Sequence, residues 1–236
     1  MLRRIVSLAP LFILMLAVGF APACLGITKE FNQTYPLQPG GTFELQNVNG
    51  TVDVQGWDRD TIEIHAVKTA KRKESDLELV SIDVDAKPGV VSVATRYPQN
   101  EGVEVAVEYT VHVPHQAHVE HLGTVNGNIE VYEAGGSVHA HTTNGNVHLE
   151  LLRVQDTSGA IAETTNGSLL LAVPADTRAD LETRCLNGNF FSELPVTFES
   201  TQKPREMHGK LGGGGAPIRL HTVNGGIRLV ALRSTV

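Results

Sequence analysis

The chain has 236 residues, with 19 Lys+Arg against 26 Asp+Glu for a formal net charge of −7, and it is 41% hydrophobic and 5% aromatic. That length suits one domain of moderate size or at most two small ones, and the apolar content excludes a disordered polymer. An acidic balance without a Lys/Arg stripe argues against nucleic acid as a partner, because phosphate binding needs clustered positive charge.

Residues 1–23 read as a secretory signal peptide. Met1-Leu2-Arg3-Arg4 is positive, Ile5 to Phe20 is apolar apart from Ser7 and Pro10, and Ala21-Pro22-Ala23 supplies small residues for cleavage. The apolar stretch falls short of the roughly 20 residues that span a bilayer, so an uncleaved anchor is the lesser alternative. Without Arg3 and Arg4 the exported part holds 17 basic and 26 acidic residues, a net of −9. The expected location is the periplasm, cell envelope or cell surface of a bacterium. Cys24, directly after the small residues, is a candidate lipid-attachment site, although Ala at −3 and Pro at −2 depart from the lipoprotein signal. A disulfide between Cys24 and Cys185 is the competing account in an oxidising compartment. Contact with a membrane is expected only through such an N-terminal anchor.

From about residue 27 onward one continuous domain is expected, with no Pro/Ser-rich linker. Thr42 to Gln46, Thr61 to Val67, Val90 to Thr95 and Val103 to Val113 alternate apolar and polar residues with period two, the pattern of half-buried strands. Pro114 ends the last of them, since a ladder needs an N–H. One short helix is expected around Glu74 to Val80, and Lys71-Arg72-Lys73 before it reads as an exposed loop.

The rest of the chain repeats. Asn-Gly occurs at Asn49-Gly50, Asn126-Gly127, Asn144-Gly145, Asn166-Gly167, Asn187-Gly188 and Asn224-Gly225. Thr stands two residues before four of these Asn, at Thr124, Thr142, Thr164 and Thr222, and apolar residues stand three and in most cases five after them. Asn-Gly is also the strongest short hairpin signal, so an antiparallel meander competes. Recurrence of the whole string about every 20 residues favours a β-solenoid, in which equivalent corners stack and each Asn bonds its neighbours.

Val48-Asn49-Gly50-Thr51-Val52-Asp53-Val54 with Gly56-Trp57-Asp58, the run Val107 to Pro114, and Gly212-Gly213-Gly214-Gly215 through Asn224-Gly225 together resemble the bacterial "putative adhesin" family of β-strand repeats, akin to auto-transporter adhesin head domains. The resemblance implies an all-β solenoid, export and adhesion. It brings no catalytic residues with it.

His112, His115, His118, His121, His139, His141 and His148 crowd into a short stretch. The first four step by three and diverge on a strand, whereas His139, His141 and His148 share outward parity and are kept as metal candidates, below the plainer reading of solvent-facing positions. Asp58/Asp60, Asp83/Asp85 and Glu104/Glu108 are spaced for one strand face but show no apolar pocket to raise one pKa. Gly212 to Gly215 lacks the Lys-Ser/Thr of a phosphate loop and reads as a tight corner. Cys185 occupies a Thr slot and reads as a small packed residue, and Trp57 alone is a thin basis for a lectin. Leu170 and Phe191, on outward positions of what the sequence presents as neighbouring rungs, form a candidate apolar patch. No catalytic or cofactor-binding residue is assigned and no cofactor is expected. The leading reading is a non-catalytic adhesin-like protein meeting an unknown cell-surface or envelope ligand, protein or polysaccharide. A carbohydrate-acting β-helix enzyme and a His-cluster metal-binding envelope protein are its rivals.

Overall fold

The computed structural model describes residues 27–99, 102–154, 159–199 and 205–233; the signal segment and Cys24 lie outside them. The first elements are β1 (Ile27–Pro36), β2 (Thr42–Gln46), β3 (Val52–Trp57), β4 (Thr61–Ala70), α1 (Asp76–Leu79), β5 (Ser81–Lys87), β6 (Val90–Arg96) and β7 (Val105–Pro114). Then come β8 (His118–Asn126), β9 (Ile129–Ala134), β10 (Val138–Asn144), β11 (Val147–Leu151), β12 (Ala160–Asn166), β13 (Leu169–Val173) and β14 (Ala179–Asn187). The chain closes with β15 (Phe190–Ser192), β16 (Val196–Phe198), β17 (Glu206–Leu211), β18 (Ala216–Asn224) and β19 (Ile227–Ala231).

The strands form two sheets. One has the order β1-β4-β7-β3-β9-β11-β13-β19-β15 and the other β16-β17-β14-β18-β12-β10-β8-β2-β6-β5. Alternation builds both. In β7, Val105, Val107, Tyr109, Val111 and Val113 are buried while Glu108 and Thr110 face out. Inward residues of both sheets, such as Val54 and Leu149 from one and Leu45 and Ala140 from the other, belong to a continuous apolar core.

Each Asn-Gly pair carries the chain from the ten-stranded sheet across to the nine-stranded one, and strands of successive coils pair in parallel, β8 with β10 and β10 with β12, β9 with β11 and β11 with β13. This is a β-solenoid, and the meander is excluded. The corners are not hairpin turns, because the positive-φ residues other than glycine, among those described, are His121 and Glu133. What fixes Asn-Gly is the stack itself. Asn126 donates its Nδ2 to Asn49 Oδ1, Asn144 to Asn126, Asn166 to Asn144, Asn224 to Asn166 and Asn187 to Asn224, each at 2.8 Å. A Cβ on Gly127 would meet the Gly50 carbonyl oxygen at 2.0 Å, and one on Gly145 would meet that of Gly127 at 2.0 Å.

Inside the corners runs a second column. Thr142 Oγ1 donates to the Gly127 carbonyl, Thr164 to Gly145 and Thr222 to Gly167, each at 2.9 Å, with Thr124 reaching Gly50 at 3.2 Å. Cys185, in the Thr slot, is a free buried thiol that donates to Gly225 at 3.1 Å, and burial pushes its pKa up. Buried carbonyls at a solenoid corner need donors, and a small side-chain hydroxyl or thiol supplies one without widening the stack.

Coil order departs from chain order twice. The β6/β7 coil packs outside β2/β3, and β18/β19 inserts between β12/β13 and β14/β15. The long final gap between Asn-Gly pairs is therefore spent on the antiparallel β16–β17 hairpin beside β14, after which Gly212 to Gly215 turn the chain back, Gly214 N–H donating to Leu211 at 2.9 Å. Antiparallel strands also cover the opposite end, β1 on β4 on β7 in one sheet and β5 on β6 in the other. Strands β1, β5, β16 and β17 are not among those that the sequence pattern predicts. Helix α1 falls within the expected segment. Buried Lys68 holds its end, donating to the Leu77 and Val80 carbonyls at 2.6 and 2.8 Å, and desolvation lowers that amine's pKa.

Candidate binding face

The outward row of the nine-stranded sheet is set by register. Asp53 lies beside Glu130, Glu130 beside His148, His148 beside Leu170, Leu170 beside Arg228 and Arg228 beside Phe191. The row changes character along the axis, from paired acids to an imidazole and then to apolar side chains around one guanidinium.

At the acidic end a relay forms. Tyr132 donates its hydroxyl to Glu130 Oε2 at 2.7 Å and lies 3.4 Å from His148 Nδ1, and His148 Nε2 lies 3.2 Å from Glu150 Oε1. Partial burial raises the Asp53 carboxyl pKa, Glu130 raises it further, and His112 opposes them. Burial, and then the Glu130 carboxylate, also push the Tyr132 phenol up. The structure pairs acids across strands as well as along them, setting Asp53 beside Glu130 from separate repeats. Equal offset from the Asn, in Asn49-Gly50 and Asn126-Gly127, was the available signal.

At the other end Leu170 and Phe191 are not neighbours, as their order in the chain had suggested. The inserted β19 places Arg228 between them, its Cζ 5.6 Å from the Phe191 ring centre. Phe191 is 51% exposed, which makes it a large apolar side chain offered to solvent. A groove of about 350 Å³ lies alongside, bounded by His148, Glu150, Leu170, Arg228, Val230 and Arg233.

The three metal candidates are not brought together. His139 and His141 lie on β10 of the ten-stranded sheet and His148 on β11 of the other, because the Asn144-Gly145 corner takes the chain across the core between them. Among the described residues no three His, Cys, Asp or Glu side chains converge to hold a metal ion. Asp58 stands 3.5 Å from His115, Asp83 the same distance from Arg96, Asp85 2.5 Å from Lys87 and Glu104 2.8 Å from Arg72, so at least one member of each acid pair is engaged by a cation or histidine. Trp57 is used within the fold. It stacks on His112 at 5.0 Å, carries Arg59 at 4.5 Å and donates its indole N–H to the Thr61 carbonyl at 2.8 Å.

The model of one protein family, Toastrack DUF4097, matches residues 42–230. No curated protein matches the chain. Among solved structures, that of a putative cell adhesion protein from Clostridium sporogenes is similar over 86% of this chain and 100% of its own, with 10% identity and a TM-score of 0.60. A putative adhesin from Parabacteroides merdae, 12% identical, aligns over 70% of this chain and 64% of its own at a TM-score of 0.37. A putative adhesin from Bacteroides fragilis, also 12% identical, aligns over 86% and 97% at 0.34. At these identities the likeness is one of fold.

Proposed function

Since the chain belongs to the Toastrack DUF4097 family, a β-solenoid-like fold, we propose that it is an exported, non-catalytic, adhesin-like protein that holds a cell-surface or envelope ligand against the outer face of its nine-stranded sheet. The observation that carries this reading is the Leu170–Arg228–Phe191 patch beside Asp53, Glu130 and His148 on one register row. An exposed aromatic and a half-buried aliphatic side chain next to fixed charge suit recognition by many modest contacts, and a stacked backbone keeps those contacts in place without ordering cost on binding. The adhesin descriptions of similar structures favour such a role over catalysis. Export follows from the apolar stretch and small residues before Cys24, with lipid on Cys24 as the means of tethering.

The test is binding of the full chain to arrayed bacterial polysaccharides and immobilised matrix proteins. Leu170→Glu with Phe191→Glu is expected to weaken any specific binding at least about tenfold, as loss of a central apolar anchor does, while Lys210→Glu on the opposite sheet leaves it intact. Equal binding by both variants would refute the face. Mass spectrometry of the processed N-terminus decides separately whether Cys24 carries lipid.

A further inference from the structure

The outer face of the ten-stranded sheet carries most of the histidines of the repeat region, and among those described four are engaged. His118 Nδ1 is 2.8 Å from Ser137 Oγ, and His141 and His221 flank Glu163 at 3.6 and 3.5 Å. His221 also stands 3.4 Å from Glu182, and His208 3.1 Å from Glu206. His121 and His139 differ. Among the described residues neither ring has a hydrogen-bond or ion-pair partner, and the two rings lie side by side, tilted by 45°, with centres 5.7 Å apart.

A backbone irregularity produces this meeting. β8 pairs with β10 at Val119↔Val138 and again at Leu122↔Ala140, so two residues of β8, Glu120 and His121, stand opposite the single residue His139. Such a bulge re-aims the side chain it carries. His121 takes φ of 50°, a left-handed conformation that costs energy for a residue with a Cβ and persists only where the surroundings impose it. The Gln46 amide holds it there by donating to the His121 carbonyl. Strain is thus spent on placing one unpartnered imidazole beside another.

We propose that His121 and His139 form a surface chelate for a divalent transition-metal ion of the imidazole-preferring class. Two imidazoles bound tetrahedrally at about 2.0–2.1 Å bring their ring centres to roughly 5 Å, close to the 5.7 Å between these two. The Glu120 carboxylate, taken by the Ser137 hydroxyl at 2.5 Å, and His141, taken by Glu163, stay outside it. Water fills the other positions, which makes the ion exchangeable. Neutral nitrogen donors select Zn²⁺, Ni²⁺ or Cu²⁺ over Mg²⁺ and Ca²⁺. This site lies on the sheet opposite the proposed ligand face and stands or falls independently of it.

Calorimetric titration of the full chain with Zn²⁺, with Mg²⁺ as control, tests the site. Wild type is expected to take up Zn²⁺ and not Mg²⁺. His121→Asn, which keeps a residue tolerant of the left-handed region, and His139→Gln should each weaken Zn²⁺ binding about tenfold or more. His208→Gln should leave it unchanged. The proposal is overturned if wild type binds no more tightly than the His121→Asn/His139→Gln double variant, or if affinity follows His141→Gln while ignoring His121→Asn. Should His121→Asn melt early without metal, His139→Gln, on regular strand, decides the matter alone.

Discussion

Two small residues at each corner are chosen by their neighbours in the stack. Asn144 gives one amide bond to Asn126 and receives one from Asn166, so Asn144→Ala removes both. These corner amides are exposed, and we expect a cost of about 1–2 kcal/mol. Gly145→Ala is expected to cost more, about 3 kcal/mol or above, because its Cβ would meet backbone 2.0 Å away that cannot retreat without parting the rungs. Urea unfolding of the two variants checks the ranking, and the reverse order would show that the amide ladder, and not clearance, selects the pair. The acid row makes its own statement about pH. Asp53 holds its proton more tightly folded than unfolded, so the stability it contributes is present in acid and lost as pH rises through its folded value. Asp53→Asn should therefore melt slightly above wild type at pH 7, by about 1–2 °C after allowing for solvent screening. The gap should close as pH falls below the usual aspartate range. A gap that holds constant across that range would show that the Asp53 carboxyl does not titrate differently in the fold.

At the scale of the element, the late-arriving coil is the test of how the solenoid holds together. β18 and β19 sit in the middle of the stack, and Ile218, Leu220, Ile227 and Leu229 are each 0% exposed. Burying a side chain of that size stabilises by about 1.5–3 kcal/mol, so the four together rival the whole net stability of a domain. Ending the chain before Ala216 would leave β12 and β13 without partners on one side and strand β14, β15 and the β16–β17 hairpin apart. We expect this truncation to lose cooperative urea unfolding, with a smaller m-value, whereas removal of a terminal repeat from an ordinary solenoid shortens it without that loss. A sharp transition of unchanged slope would mean that the two flanking coils close up on each other.

At the scale of the whole molecule, the two sheets present different surfaces. One outer face grades from acids to an apolar patch; the other is a lattice of histidines and carboxylates with, among the described residues, one unpartnered imidazole pair. Antiparallel strands flank the parallel coils in both sheets at the β1/β5 end, whereas at the other end, among the described residues, only the ten-stranded sheet is covered and the nine-stranded sheet stops at the three-residue β15. Pairing at a sheet edge is what joins repeat proteins into fibres, and short or covered edges oppose it.

Much of this was legible in the residues. The alternation of Val105 to Val113 gave a strand because period two is a local property, and the recurring Thr-x-Asn-Gly string gave stacked corners because every copy must meet the same surroundings. What local pattern could not carry was order and side. That β18/β19 enters between earlier coils, that Arg228 parts Leu170 from Phe191, that His141 and His148 end on opposite sheets, and that His121 meets His139 all depend on which strands find each other across long stretches of chain. Pairing of that kind is decided by the shared burial of the core, where each coil takes the place that leaves the fewest apolar faces in water, and no single segment records the outcome.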